Sequence, residues 1–291
     1  MRTWQSNPGQ QPVLIMALDG FLSVGESASI ISRFLNDREK QVLHTFDLDD
    51  YLDYRSRRPP IGFNHDHFHD LQLSPLQICG SWDDNDVPFL FLTGPEPDMK
   101  WERFSEVVIN FMIEHDVAVL FNLTAVPMAV PHTRPVILTS HGTVPELVDR
   151  ENIFKAEIYV PSSAQTFTEF RCGEAGLQAA GYVAHVPHYV AQQPFPPAAI
   201  SLLSESKKRL GLDFDLGELQ EAAEEALNDL SDQVEQSNNE VMLAEMERQY
   251  DDMTRTDPNS LLNAGPIPSA EDLAKEFEQY LATRDKRGES D

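Results

Sequence analysis

Five residues of this chain have the types that acid–base chemistry needs, and they fall in short strings. Pro131-His132-Thr133-Arg134-Pro135 is followed by Ser140-His141-Gly142-Thr143, and His185-Val186-Pro187-His188-Tyr189 comes further on. Imidazole takes up and releases protons near neutral pH, and a guanidinium holds an anion. His132, Arg134, His141, His185 and His188 together would therefore suit a small-molecule enzyme of phosphorylase or hydrolase type. The nucleophile is missing. Neither Gly-x-Ser-x-Gly nor a cysteine in an active-site context occurs, and Ser140, Ser162 and Ser163 offer only hydroxyls. The plainer reading is of histidines satisfied inside the fold or at a subunit contact. The sequence favours that plainer reading and no catalytic residue.

Three further strings carry chemistry of their own. His65-Asp66-His67-Phe68-His69-Asp70 has metal-ligand types. In extended backbone His65, His67 and His69 would share one face and could hold zinc or a similar ion. No HExxH helix accompanies them, so the favoured role is a polar loop near a subunit contact, with Phe68 as its apolar anchor. No metal and no other cofactor is expected. Gly20 and Gly25 bracket a loop between a strand and a helix, where an anion could sit on free N–H groups. A phosphate loop needs Gly-Lys-Ser/Thr, whereas Gly25 is followed by Glu26-Ser27. A carboxylate there satisfies the helix dipole and repels phosphate, so a tight structural turn is expected. Tyr54-Arg55-Ser56-Arg57-Arg58-Pro59 is the one dense basic patch. Alternation would put Arg55 and Arg57 together. Three readings stay open for it: a salt-sensitive contact with the acidic C-terminal part of a neighbouring subunit, a phosphate ligand, or a solvated loop. Arg55, Arg57, Arg58 and Phe68 are the interface candidates.

The elements that must position these strings alternate. Val13–Leu18 is a continuous apolar run of strand length, and Glu26–Leu35 follows with helical spacing. Val42–Phe46 and Val87–Thr93 read as strands, with loops and short strands between them. Asp98 is placed to cap a helix with Trp101, Phe104, Val108 and Phe111 on one face. Val117–Leu123, Pro135–Leu138 and Phe154–Val160 read as strands. Ala164–Ala180 reads as a helix stopped by Gly181, and Tyr182–Val186 as the last strand. The fold class that follows is α/β: a mainly parallel sheet of about six to eight strands flanked by helices. Residues 1–197 form the expected core domain. After a hinge at Pro194, Pro196 and Pro197, residues 198–291 form an acidic helical C-terminal region. It begins with a helix over Ala198–Leu210. Glu218 to about Asp252 lacks Gly and Pro and reads as one long helix. Its seam of Leu216, Leu219, Ala223, Ala226, Leu230, Val234 and Val241 has a slip near Gln233. A last helix is expected from Ser269, with Leu273, Phe277, Tyr280 and Leu281 on one side.

Composition bounds the partners. The chain has 291 residues and a formal net charge of −26, which disfavours nucleic acid and anionic membranes. Residues 211–291 hold 22 acidic and 6 basic residues, a net of −16, and the first 210 hold the other −10. Two cysteines and no apolar leader or spanning segment point to the cytoplasm.

The chain resembles the proteasome assembly chaperone 2 family in its actinobacterial branch. The strings that carry the resemblance are Leu18-Asp19-Gly20-Phe21, Tyr54-Arg55-x-Arg57-Arg58-Pro59, Asp66-His67-Phe68 and Gly94-x-Glu96-Pro97 with Trp101. With them go Pro131-His132-Thr133-Arg134-Pro135, His141-Gly142, Gly173-Glu174-Ala175-Gly176 and His185-Val186-Pro187-His188-Tyr189. They keep the family order over roughly residues 13–193. The resemblance implies an α/β core like that of nucleoside phosphorylases, with a helical C-terminal extension. In eukaryotic and archaeal relatives that core serves proteasome assembly. For this branch it implies no settled activity, but self-association, with a trimer as its form, and other proteins as partners. Where many relatives have Asp-Ala-Gly, this chain has Ser23-Val24-Gly25. The hydrophobic-Tyr-X tail of proteasome-docking relatives is replaced by Arg287-Gly288-Glu289-Ser290-Asp291, so docking by that device is not expected.

Overall fold

Runs without polar side chains fit only strands covered on both faces, and such runs make the centre of the sheet. The computed structural model describes residues 2–149, 157–237 and 240–254. Its strands are β1 (Val13–Asp19), β2 (Lys40–Thr45), β3 (Gly62–Asn64), β4 (His67–His69), β5 (Gln77–Trp82), β6 (Pro88–Pro95), β7 (Val119–Met128), β8 (Leu138–Gly142) and β9 (Ala179–Pro187). Its α-helices are α1 (Ser27–Asn36), α2 (Leu48–Tyr51), α3 (Trp101–Glu114), α4 (Ala164–Glu174), α5 (Pro196–Leu210), α6 (Gly217–Gln236) and α7 (Glu240–Thr254). The main sheet has seven strands in the order β2-β5-β6-β1-β7-β9-β8, and β3 pairs only with β4. β6, β1, β7 and β9 are mutually parallel, while β5 and β8 run against their neighbours. The sheet is thus mainly parallel, and helices flank it.

Alternation along β1 builds both core layers. Leu14, Met16 and Leu18 pack with Phe104, Val108 and Met112 of α3 and Cys172 of α4. Ile15 and Ala17 pack on the other face with Ile31 and Leu35 of α1 and Ala199 and Leu202 of α5. Each such buried aliphatic side chain contributes about 1.5–3 kcal/mol. Position 197 falls inside α5, whose apolar face belongs to this same core. Pro196 and Pro197 do not make a hinge; they fill the first turn of α5, where a missing N–H costs nothing.

Several elements depart from their expected bounds. Asp98 does not cap α3; it accepts the Asp53 N–H at 2.8 Å, and Lys100 precedes the helix instead. α4 ends at Glu174 because Gly176 turns the chain with φ +73°, and Gly181 lies inside β9. The ladder of β8 starts at Leu138, so Pro135–Ile137 form no strand. Ser140-His141-Gly142 then stand on the strand rather than after it. Residues 157–160 form no strand, and 150–156 lie outside the described residues. The single long helix is two, α6 and α7, parted near the expected slip. Ala223 and Leu230 of its seam are buried, but Val241 is 83% exposed. The helix expected from Ser269 lies outside the described residues.

Candidate functional site

Connections from β1 and β6 leave towards opposite sides of the sheet, and such a switch point opens a crevice at the strands' C-terminal ends. Here the crevice is filled by the chain's own groups. Glu96, just beyond β6, is buried. One of its oxygens accepts the Ala164 N–H at the start of α4, and the other accepts the Phe21 N–H, each at 2.7 Å. A helix start favours an anion, and Glu96 supplies it. Gly20 makes room, since a Cβ there would lie 1.9 Å from Glu96 Oε2. Gly25 has φ +66°, donates its N–H to the Ala191 carbonyl and accepts the Phe195 N–H. Both glycines are therefore used by the fold itself.

The five acid–base candidates do not converge on one another: His132 and His188 both touch Tyr189, while Arg134, His141 and His185 each have other partners. His132 is 4% exposed. Tyr189 Oη accepts its backbone N–H at 2.8 Å and lies 2.8 Å from its Nδ1. Its Nε2 is 3.3 Å from Ser231 Oγ of α6. Serine, histidine and tyrosine in this order look like a nucleophilic triad, but the Ser231 hydroxyl donates to the Leu227 carbonyl. Burial lowers the His132 pKa and pushes the Tyr189 phenol up to about 12, so both stay neutral. Arg134 is spent nearby on α7. Its Nε and Nη2 donate to Asp251 at 2.8 and 2.9 Å, and Nη1 donates to Glu247 at 3.2 Å. Thr133 also donates to Glu247, and Tyr250 Oη donates to the Pro135 carbonyl. The hydrogen bond to Asp251 raises the Arg134 pKa and fixes its charge. The acidic C-terminal helices thus dock within one chain.

His185 is buried, with Nε2 2.8 Å from Thr139 Oγ1, and desolvation pulls its pKa to about 4. His141 lies against Gly181 of β9, and its Nδ1 is 2.7 Å from Glu169 Oε1. Asn122 donates to the other oxygen of Glu169 at 2.7 Å. A carboxylate so placed fixes an imidazole's orientation. No hydroxyl or thiol hydrogen-bonds to the His141 ring among the described residues. His188 is exposed, its ring edge-on to Tyr189 at 5.5 Å.

The second group of strings is turned outward. Arg57 N–H closes a turn on the Asp53 carbonyl, so Arg55 and Arg57 do not alternate along a strand. Arg57 reaches back, donating from Nη1 to the Asp19 carbonyl at 2.7 Å, with Nε 3.7 Å from Asp98. Arg55 and Arg58 are exposed and have no ion pair among the described residues. Beyond them β3 and β4 form a projecting hairpin, every residue from 63 to 75 being exposed. Phe63 pairs across the strands with Phe68, ring centroids 5.1 Å apart, at 62% and 67% exposure. Ile61, Leu71 and Leu73 add exposed apolar area. His67 and His69 share the opposite face with centroids 6.1 Å apart, each beside its neighbouring aspartate. His65 does not join them, because it sits in the turn with φ +53°. Among the described residues no group of three or more His, Cys, Asp or Glu is placed to hold a metal ion.

Sequence reasoning misses Glu96, Glu169, Asn122, Tyr189 and Asp251, the partners that decide what the strings do. Glu96 and Tyr189 leave a signal, since Gly94-x-Glu96-Pro97 and His185-Val186-Pro187-His188-Tyr189 are among the strings that carry the resemblance.

A three-layer α/β protein with inward-satisfied histidines and an outward arm is the class that this geometry defines. The PAC2 family model matches residues 17–234, and the chain belongs to the PAC2 family. It is similar to a Mycobacterium tuberculosis protein of unknown function, at 37% identity over 86% of each chain and a TM-score of 0.80. A Corynebacterium glutamicum protein of unknown function is 32% identical, with a TM-score of 0.80 over 86% of this chain and 94% of that one. A proteasome-assembly chaperone homologue of Mycobacterium tuberculosis shares the fold at 24% identity and a TM-score of 0.73, over 80% of this chain and 99% of that one. No curated protein matches the chain.

Proposed function

We propose that this protein works as a chaperone-like binding protein of the cytoplasm, self-associating as a trimer and docking other polypeptides on the β3–β4 arm. The exposed Phe63–Phe68 pair carries this reading. Exposed apolar residues clustered on one projection mark an interaction site, and aromatic residues and arginine are the types that anchor interfaces. Arg55 and Arg58, exposed in the chain that leads into β3, steer acidic partners. The likeness to a Mycobacterium tuberculosis protein described as a proteasome-assembly chaperone homologue supports a polypeptide client in kind, without naming it. Among the described residues no helix is long and apolar enough to cross a membrane. The test is cross-linked affinity capture from the native cell, comparing the unaltered chain with F63E/F68E. Loss of the captured proteins is expected. An unchanged set of captured proteins sinks the reading of the arm, and a monomer by sedimentation at cellular concentration sinks self-association.

A further inference from the structure

We infer that α7 is a segment that copies of this chain swap: it can leave the 131–135 loop of its own chain and take the same seat on a second copy. This rests on the chain associating with itself. The seat is a built one. Arg134 grips two carboxylates one helical turn apart, donating to Asp251 from Nε and Nη2 and to Glu247 from Nη1. The Thr133 hydroxyl also donates to Glu247, and the Tyr250 hydroxyl donates to the Pro135 carbonyl. Met246 and Tyr250 are the buried side chains of α7, and neither belongs to the two core layers. Glu247, Tyr250 and Asp251 fall at i, i+3 and i+4, so one face of one helix carries the whole key. A second copy carries an identical key and an identical seat, so what fits within one chain fits between two.

Two observations favour a swap over a permanent seat. The first is the way α6 ends. α4 and α5 are each stopped by a glycine with positive φ, Gly176 and Gly211. No Gly or Pro stands between Glu218 and Asp252, and Ser237, which closes α6, stays in the right-handed helical region with φ −91° and ψ 0°. The second is what the seated α7 leaves in water: Val241 is 83% and Met242 42% exposed. Joined end to end, α6 and α7 would place Val241 seven residues after Val234, the heptad interval of a stripe that neighbouring helices share. α7 would lengthen that helix by about 22 Å, at roughly 1.5 Å per residue, enough to carry Glu247 and Asp251 off their own loop and on to a neighbour's. Each copy gives one α7 and accepts one, so no ion pair is lost in the swap and a ring of copies closes.

The test is complementation between two full-length variants. R134A keeps the key and loses the seat, whereas E247A/D251A keeps the seat and loses the key. Amide hydrogen exchange in the α7 of R134A is followed by mass, alone and mixed with isotope-labelled E247A/D251A. Mixing should slow it roughly fivefold or more, because α7 regains a seat in the other chain. The slowing should grow with concentration and vanish when the added chain is R134A/E247A/D251A, which has neither part. A rate in the mixture equal to that of R134A alone overturns the inference. Sedimentation of the unaltered chain separates the two claims. If that chain associates while mixing slows nothing, self-association stands and the swap falls. If mixing slows the α7 amides while the unaltered chain sediments as a monomer, the seat accepts α7 from a second copy and the trimer falls.

Discussion

Two stretches of this chain carry crowded histidine and arginine, and the fold treats them oppositely. Around 131–135 they are drawn inward: His132 is shared between Tyr189 and Ser231, and Arg134 is chelated by Asp251 and Glu247. Around 55–69 they stay outside, with Arg55, Arg58, His67 and His69 in water and two phenylalanines beside them. The residue types are nearly the same. What differs is whether α6 and α7 bring acceptors to them. Residue type thus sets what a string can do, and the presence of a partner in space decides whether it braces the molecule or faces outward.

The comparison is broken first by acid. The folded chain holds His185 neutral down to about pH 4, whereas an unfolded imidazole takes its proton near 6.5. Between those values only the unfolded chain gains the proton, so stability falls as pH falls. The loss is roughly 1.4 kcal/mol per unit, about 3 kcal/mol across the window. His132, also lowered by burial, adds in the same direction. Urea melts of the unaltered chain and of His185→Asn should diverge in slope against pH over this range; parallel curves would contradict it.

Cutting the inward contacts one at a time gives smaller effects. His132→Ala empties a buried site and takes from the Tyr189 hydroxyl its ring partner while leaving the backbone N–H of residue 132 on it, for a loss of about 2 kcal/mol in urea unfolding. A change below half that size would mean that the clasp is ornamental. Arg134→Ala removes a partly exposed two-pronged pair, a smaller loss than that of His132→Ala. Its clearer readout is faster hydrogen exchange in α7 with α3 unchanged. The smallest expected effect is on the outward side, where F63E/F68E should shift stability by less than about 0.5 kcal/mol. A larger shift would show that the arm packs on the body, and the contrast between the two regions would collapse.

The sequence announces the central strands well, because β1, β6 and β7 are mostly apolar runs, with Thr93, Asn122 and Thr124 too few to mislead. It misplaces β8, because Val136 and Ile137 look like strand residues. They instead lead into the ladder, Ile137 lending its carbonyl to the His185 N–H. It overextends α4, because Leu177, Ala179 and Ala180 suit a helix as well as a strand, and Gly176 decides the matter by its turn. The grouping of the histidines is illegible for a different reason. Asp251 lies 117 positions from Arg134 and Tyr189 lies 57 from His132, so nothing local records the pairing. The PAC2 membership, by contrast, is readable from short strings kept in order.

The carboxylate of Glu96 has one more consequence. An acid on a side chain is present at its own socket in an amount that no dissolved metabolite can match. The two N–H groups that it holds are therefore engaged from within the chain. A dissolved anion would have to displace a tethered one to reach the Phe21 and Ala164 N–H groups.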